Sequence, residues 1–272
     1  MSRPEDSPLG QETHYPNEYD PSQLFSIPRD ASRIELGITG ALPFKGHDGW
    51  TAYEISWLDQ RGKPQVAIGH IQVPCDSPAI IESKSLKLYL NSFNQSYIES
   101  PEEMIATVER DLSCAAGKSV SVELQSVDEQ RSGEIILSNY ACIDERDVDC
   151  RELEYSPALL KVIGESAAQQ SYVSHLLKSN CPVTGQPDWA SVYIDCFGPM
   201  LDQDSLLRYL VSFRQHQEFH EQCVERIFVD LQKMGLIKLT VNARYLRRGG
   251  IDINPVRSTD LEYPVIGRTI RQ

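Results

Sequence analysis

Three short stretches of this chain hold side chains able to do chemistry. In residues 179–189, SNCPVTGQPDW, Cys181 sits in a turn-rich segment, and Asp188 follows seven positions later between Pro187 and Trp189. A thiol becomes a nucleophile only as the thiolate, so Cys181 would need a base or a polarising neighbour near neutral pH. Desolvation by apolar flanks would raise the pKa of Asp188, and a carboxyl that holds its proton is a general acid. Farther on, His220 could relay protons, and Glu221 could accept hydrogen bonds from the N–H groups of a heterocycle. The third stretch is Glu82, Ser83 and Lys84, just before a helical pattern. Free N–H groups at a helix start, together with a lysine charge, suit an anion. Each feature also has an ordinary reading: a half-buried cysteine, a turn aspartate, a capped helix start. The six other cysteines, Cys75, Cys114, Cys142, Cys150, Cys196 and Cys223, lack a comparable polar setting. Cys223 shares an apolar helix face with Val224, Ile227 and Phe228.

The elements that must position these residues are partly readable. GWTAYEISWLD and PQVAIGHIQVP alternate as strands around an RGKP turn. SLKLYLNSFN has helical spacing, and SPEEMIATVERDL opens with Ser100 as cap, Pro101 in first position and Glu103 three residues after the serine. SVSVELQSV is a strand. In the second half, ASVYIDCFGP reads as a strand, SLLRYLVSFRQHQEF and HEQCVERIFVDLQKM as helices, and LIKLTVNARYL as a strand. YLNSF at position 89 recurs as YLVSF at 209, and RDL at 110 recurs as VDL at 229. This near-constant shift indicates a duplicated strand–strand–helix–helix–strand unit. The expected organisation is an arm over 1–32, a first module over 33–145 and a second over 146–272. The acidic stretch 128–155 reads as a solvated connection between halves. Glu82, Ser83 and Lys84 fall in the first copy; Cys181, Asp188, His220 and Glu221 fall in the second.

The composition narrows the function. The 272 residues are 40% hydrophobic, enough for one large or two modest cores. A net charge of −13 disfavours a broad nucleic-acid footprint but leaves room for a small anion in a local basic pocket. No window approaches the roughly 18 apolar residues of a membrane-spanning helix. The N-terminus, MSRPEDSPLG, has no apolar signal segment. The seven cysteines are odd in number and irregularly spaced, without a CxxC. They read as thiols of a cytoplasmic protein, with no paired metal ligands. No GxGxxG follows a strand, so motif alone would not call for a dinucleotide.

Four separated motifs, ESKSLKLYLNSFNQ, SNCPVTGQPDW, FHEQCVERI and RRGGIDINPVRS, together resemble the NADPH-dependent nitrile reductase family of queuosine biosynthesis, the 7-cyano-7-deazaguanine reductases, in its longer two-module form. The resemblance runs from about residue 20 to near the end. It implies an α+β tunnelling fold (T-fold): two tandem modules, each an antiparallel sheet with two helices on one face, with sites at module interfaces. It implies attack of Cys181 on a nitrile carbon to give a thioimide. Asp188 would act as the acid, His220 would assist, and NADPH would be the hydride source. It further implies substrate contacts from Ile81, Glu82, Ser83, His220 and Glu221, and cofactor contacts from Ser83, Lys84, Arg248 and Gly249. The partner would be a small deazapurine rather than nucleic acid or membrane, the assembly a homodimer, and no metal would be used. A metal-dependent hydrolase of a purine or pterin on the same fold is the alternative activity. A non-catalytic scaffold would leave the one-copy residues unexplained.

Overall fold

The alternating pattern around the RGKP turn folds as a hairpin, β2 (Lys45–Leu58) with β3 (Pro64–Pro74). Asp59 closes it, its Oδ1 accepting from the Arg61 and Lys63 N–H groups at 2.8 and 3.0 Å. These elements come from a computed structural model, which describes residues 15–16, 18–129, 139–151, 153–264 and 266–272. The described chain falls into two compact units: residues 1–32, 47–132 and 247–253 form the first, and 33–46, 133–246 and 254–272 the second. Short helix α1 (Asp30–Glu35) and last strand β10 (Ile251–Ser258) each contribute to both.

In the first unit, β1 (Ser26–Pro28) pairs with β4 (Ala79–Ile81), and β5 (Ser121–Gln125) pairs antiparallel with β3. The arm therefore packs onto this unit from Tyr19 onward. Tyr19, Trp50, Ala52, Ile55 and Trp57 share one core with Leu86, Tyr89 and Leu90 of α2 (Ser83–Asn91) and Met104, Val108 and Leu112 of α3 (Pro101–Ala116). Both helices thus cover one sheet face. α3 starts as its sequence dictates: Ser100 accepts from Glu103 N–H at 3.3 Å, and Pro101 holds the first position.

In the second unit, β6 (Ala141–Cys142) runs parallel to β7 (Val162–Asn180). β7 pairs antiparallel with β8 (Pro187–Leu201), and β8 with β9 (Lys238–Tyr245). The helices are α4 (Gln203–Ser212) and α5 (His220–Gln232). Strand β7 carries no clean sequence period and escapes the reading above. Residues 139–144 do more than connect: β6 extends the sheet and Ile143 is buried. Residues 130–138, part of the acidic stretch, lie outside the described residues.

The duplication extends to hydrogen bonds. In the first unit, the Tyr19 and Tyr89 hydroxyls both donate to Asp111 Oδ2, at 2.5 and 2.7 Å. In the second, those of Tyr155 and Tyr209 both donate to Asp230 Oδ2, at 2.5 and 2.8 Å. Ser85 Oγ donates to Glu82 O and accepts from Phe25 N–H; Ser205 Oγ donates to Asp202 O and accepts from Lys161 N–H. Such matched sets tie helix to helix in both units. Replacing Asp230 by alanine strands two hydroxyls, one of them fully enclosed. Asp230→Ala is expected to lower unfolding free energy by about 2–4 kcal/mol, read from urea denaturation. Asp111→Ala should behave alike.

Candidate active site

Cys181 and Asp188 lie at the two ends of one hairpin turn. Ser179 of β7 stands opposite Asp188 of β8, and residues 181–186 make the turn. Cys181 N–H donates to Gln186 O at 2.8 Å, and Gly185 N–H returns to Cys181 O at 2.9 Å. Gly185 has φ +69°, which a side chain would oppose. Directly paired residues share a sheet face, and so do residues two apart along a strand. Ser179, Asp188 and Ala190 are therefore on one face, as is Tyr245, which pairs with Ala190.

The N-terminus of α5 packs onto this face. The ring of His220 stacks on Tyr245 with centroids 3.9 Å apart, and its Nε2 lies 3.3 Å from Asp188 Oδ1. Asn180 connects the two parts: its N–H donates to His216 O at 2.8 Å and its carbonyl accepts from Glu218 N–H at 3.1 Å. The residue before the cysteine is thereby fastened to the segment that enters α5. Cys181, Asp188 and Glu221 are buried, at 6, 6 and 3% exposure. Asp188 is desolvated as expected but for a different reason. Trp189 is 42% exposed and points to the opposite face, so the burial comes from the cross-strand and helix neighbours of Asp188.

Beneath His220, Cys223 lies against Tyr245 and Ser179; burial pushes its thiol up to about 12. Burial does the same to Cys196, again to about 12. These two are poor nucleophiles at neutral pH.

The first unit holds the rest of the expected residues. Ile81 ends β4, fully buried. Glu82 is the N-cap of α2: Oε1 accepts from Lys84 N–H at 2.7 Å and Oε2 from Ser85 N–H at 2.8 Å. Burial raises its pKa, against the pull of those donors. Asp202 caps α4 in the same way, its Oδ1 accepting from Asp204 and Ser205 N–H. An acidic cap is therefore common to both copies, and only Ser83 and Lys84 distinguish the first. Lys84 is half-buried, its Nζ 5.8 Å from the centre of the Tyr15 ring.

The Arg248–Gly249 turn belongs to this unit as well, although sequence order sets it in the second copy. Arg248 and Ile251 exchange N–H···O bonds of 2.8 and 3.1 Å around Gly249 and Gly250, with φ +59° and +84°. A Cβ on Gly249 would come within 2.7 Å of Lys87 Nζ. Lys87, one helical turn from Lys84, thus joins Lys84 and Arg248 in a basic group that single-residue reading missed. Its signal was the i, i+3 spacing of two lysines. Lys87 against this glycine turn and Arg248 within it, with Lys84 one helical turn from Lys87, are the residues that could meet the phosphates of a dinucleotide.

With this geometry described, comparison with known proteins is informative. Residues 15–124 match the family described as "Nitrile reductase, 7-cyano-7-deazaguanine-reductase N-term", and residues 187–263 match "QueF-like protein". The NADPH-dependent 7-cyano-7-deazaguanine reductase of Chromohalobacter salexigens is 53% identical over 262 residues, covering 96% of this chain and 94% of its own. The protein of that name from Burkholderia multivorans is 52% identical over 272 residues, 99% of each chain. The chain belongs to the 7-cyano-7-deazaguanine reductase family. Among solved structures, the apo archaeosine synthase QueF-Like matches with 15% identity and a TM-score of 0.31, covering 37% of this chain and 100% of its own. Family membership agrees with the α+β, T-fold reading of two helices with a mainly antiparallel sheet in each unit. No described helix is long and apolar enough to cross a membrane.

All seven cysteines of this family member are free. Metal-stripped native protein treated briefly with iodoacetamide near neutral pH should be labelled at exposed Cys114 and Cys142. Cys196 and Cys223 should react only after unfolding in urea, as read by peptide mass spectrometry. Early labelling of Cys223 would mean that α5 opens readily.

Proposed function

We propose that this chain reduces the nitrile of 7-cyano-7-deazaguanine to the primary amine of 7-aminomethyl-7-deazaguanine, with NADPH, in tRNA queuosine biosynthesis. The observation that carries the chemistry is a buried thiol and a buried carboxyl at the ends of one turn, with an imidazole 3.3 Å from the carboxyl.

Cys181 Sγ adds to the nitrile carbon. The C–S bond forms as one C≡N π pair moves to nitrogen, and nitrogen takes a proton from Asp188. The product is a thioimide. Bound NADPH would supply hydride, one per reduction step. After the first, the C–S bond would break and Cys181 would leave as thiolate with an imine formed; in the second, Asp188 would give the nitrogen of the amine its remaining proton. His220, held flat on Tyr245, returns a proton to Asp188 between steps. Enclosure of Cys181, Asp188 and Glu221 keeps water from hydrolysing the imine.

The family resemblance assigns substrate contacts to Ile81, Glu82 and Ser83 in the first unit and to His220 and Glu221 in the second, the glutamates accepting from N–H groups of the base. Glu82 caps a helix with both oxygens; Oε1 accepts from Lys84 N–H and Ser83 Oγ, and Oε2, with Ser85 N–H alone, keeps a lone pair for a substrate donor. Ser83, Lys84, Lys87, Arg248 and Gly249 would hold NADPH. The paired hydrogen-bond sets support a duplicated module, and the first set draws Tyr19 and Phe25 from the arm over 1–32, so the bounds 33–145 and 146–272 rest on sequence order alone. The reading further takes the protein as a cytoplasmic homodimer that acts on the free deazapurine, not on nucleic acid.

Mixing the enzyme with the nitrile in the absence of NADPH should add one substrate mass to the peptide containing Cys181. Cys181→Ala should show no adduct and no turnover. Asp188→Asn should keep substrate affinity and lose reduction by about 100-fold or more. An adduct surviving Cys181→Ala, or near-parental turnover in Asp188→Asn, would remove that residue from the mechanism. Turnover should persist in chelator; loss restored by zinc would favour the hydrolase-like alternative.

The cofactor contacts separate from covalent trapping. Lys84→Ala and Lys87→Ala should each raise the KM for NADPH about tenfold, less at high salt, because an ammonium acts on phosphate as a screened point charge. Trapping of the nitrile without NADPH should be unchanged. Normal KM in both variants would make these lysines plain helix-surface residues.

A further inference from the structure

The second unit carries a set of ligating side chains that the mechanism does not use. Cys142 ends β6, Asp144 follows two residues later, and His175 lies on β7. A sulfur, a carboxylate oxygen and a ring nitrogen from these three fall within 4.8 Å of one another. The backbone brings them together: Cys142 pairs with Val173 in parallel register, and Ile143 N–H donates to Val173 O at 3.0 Å. His175 Nδ1 lies 2.8 Å from Ser191 Oγ. Ser191 alternates with Asp188 and Ala190 along β8, so the group sits on the sheet face opposite the reacting residues.

The ligands are already oriented. Asp144 Oδ1 accepts from Ser174 Oγ at 2.6 Å, and Oδ2 accepts from His175 N–H at 2.9 Å. Each oxygen keeps a lone pair for a cation. The Ser191 contact fixes the imidazole ring, as outer partners of ligating histidines do. Two cations share this face: Arg271 Nη1 donates to His175 O at 2.9 Å and comes within 3.5 Å of Ser191 Oγ, and Arg244 is the cross-strand partner of Ser191.

We propose that Cys142, Asp144 and His175 bind a zinc-class transition-metal ion, with solvent in the fourth position. The mixed sulfur, nitrogen and oxygen donors select a borderline ion over Mg²⁺ or Ca²⁺, which take oxygen ligands. Ligand atoms around tetrahedral zinc stand about 3.3–3.8 Å apart. Cys142 is exposed and closes the remaining gap by rotation of its side chain. The ion ties two-residue β6 to the middle of β7. Its binding free energy adds to folding stability and is independent of nitrile reduction.

The test is titration of metal-stripped, full-length protein with Co²⁺, followed by displacement with Zn²⁺. One equivalent of cobalt should bind with a thiolate-to-cobalt charge-transfer band. The band should vanish in Cys142→Ser and persist in Cys181→Ser, and affinity should fall at least about tenfold in His175→Ala. Zinc should raise the Tm of the parent and leave that of Cys142→Ser unmoved. No cobalt band in the parent, a band that survives Cys142→Ser, or a parental Tm indifferent to zinc would overturn the proposal.

Discussion

The placement of α5 rests on one buried carboxylate. Glu225, four residues after Glu221 on the same helix, receives Arg33 at 3.0 and 2.7 Å and Arg257 at 3.2 and 2.9 Å. Arg257 is wholly enclosed, and Phe44 lies near both guanidiniums and edge-on to Phe228. The group is buried, and removing one partner of such a group typically costs about 3–5 kcal/mol. A hydrophobic substitute of equal volume could stabilise as well. What it would lack is direction: planar guanidiniums accept a carboxylate only in plane, which fixes the rotation of α5. His220 and Glu221 begin that helix, so their aim depends on this rotation.

Comparison of the two copies separates inheritance from specialisation. Both cap the first helix with an acid, both bury an aspartate between two tyrosines, and both place a serine under the cap. These are requirements of the fold. The departures are local: Ser83-Lys84 against Gln203-Asp204 at one helix start, and Cys181 with Asp188 at one hairpin. Glu82 belongs to both lists. It does a structural job that its counterpart shares, which is why its role in binding rests on substrate chemistry rather than on asymmetry.

Strand β3 and helix α3 were legible because a single rule governs each. β3 alternates over its length, and α3 has cap, proline and periodic apolar face together. Strand β7 obeys none: Gln169, Gln170, Ser171 and Lys178 interrupt its pattern, and a register shift between Ser174 and Leu177 breaks its alternation. The same limit applies to the site. Cys181 and Asp188 stand close in sequence and could be paired by eye. The packing of Lys87 on Gly249 spans most of the chain, and the stacking of His220 on Tyr245 depends on how α5 crosses its sheet. Neither leaves a local signature. The burial of Asp188 was foreseen from its neighbours in sequence, yet arises from its neighbours across strands.

The double hydrogen bond of Asn180 has a dynamic meaning. Strand end and helix entry are joined through one residue, so thermal displacement of the hairpin carries the start of α5 with it. The relevant quantity for proton transfer is the separation of donor and acceptor, not the position of either. Correlated motion keeps the fluctuation of that separation smaller than the amplitude of its parts. A turn at the surface, ordinarily a place of independent wandering, can in this way hold Cys181 to a helix while both drift together.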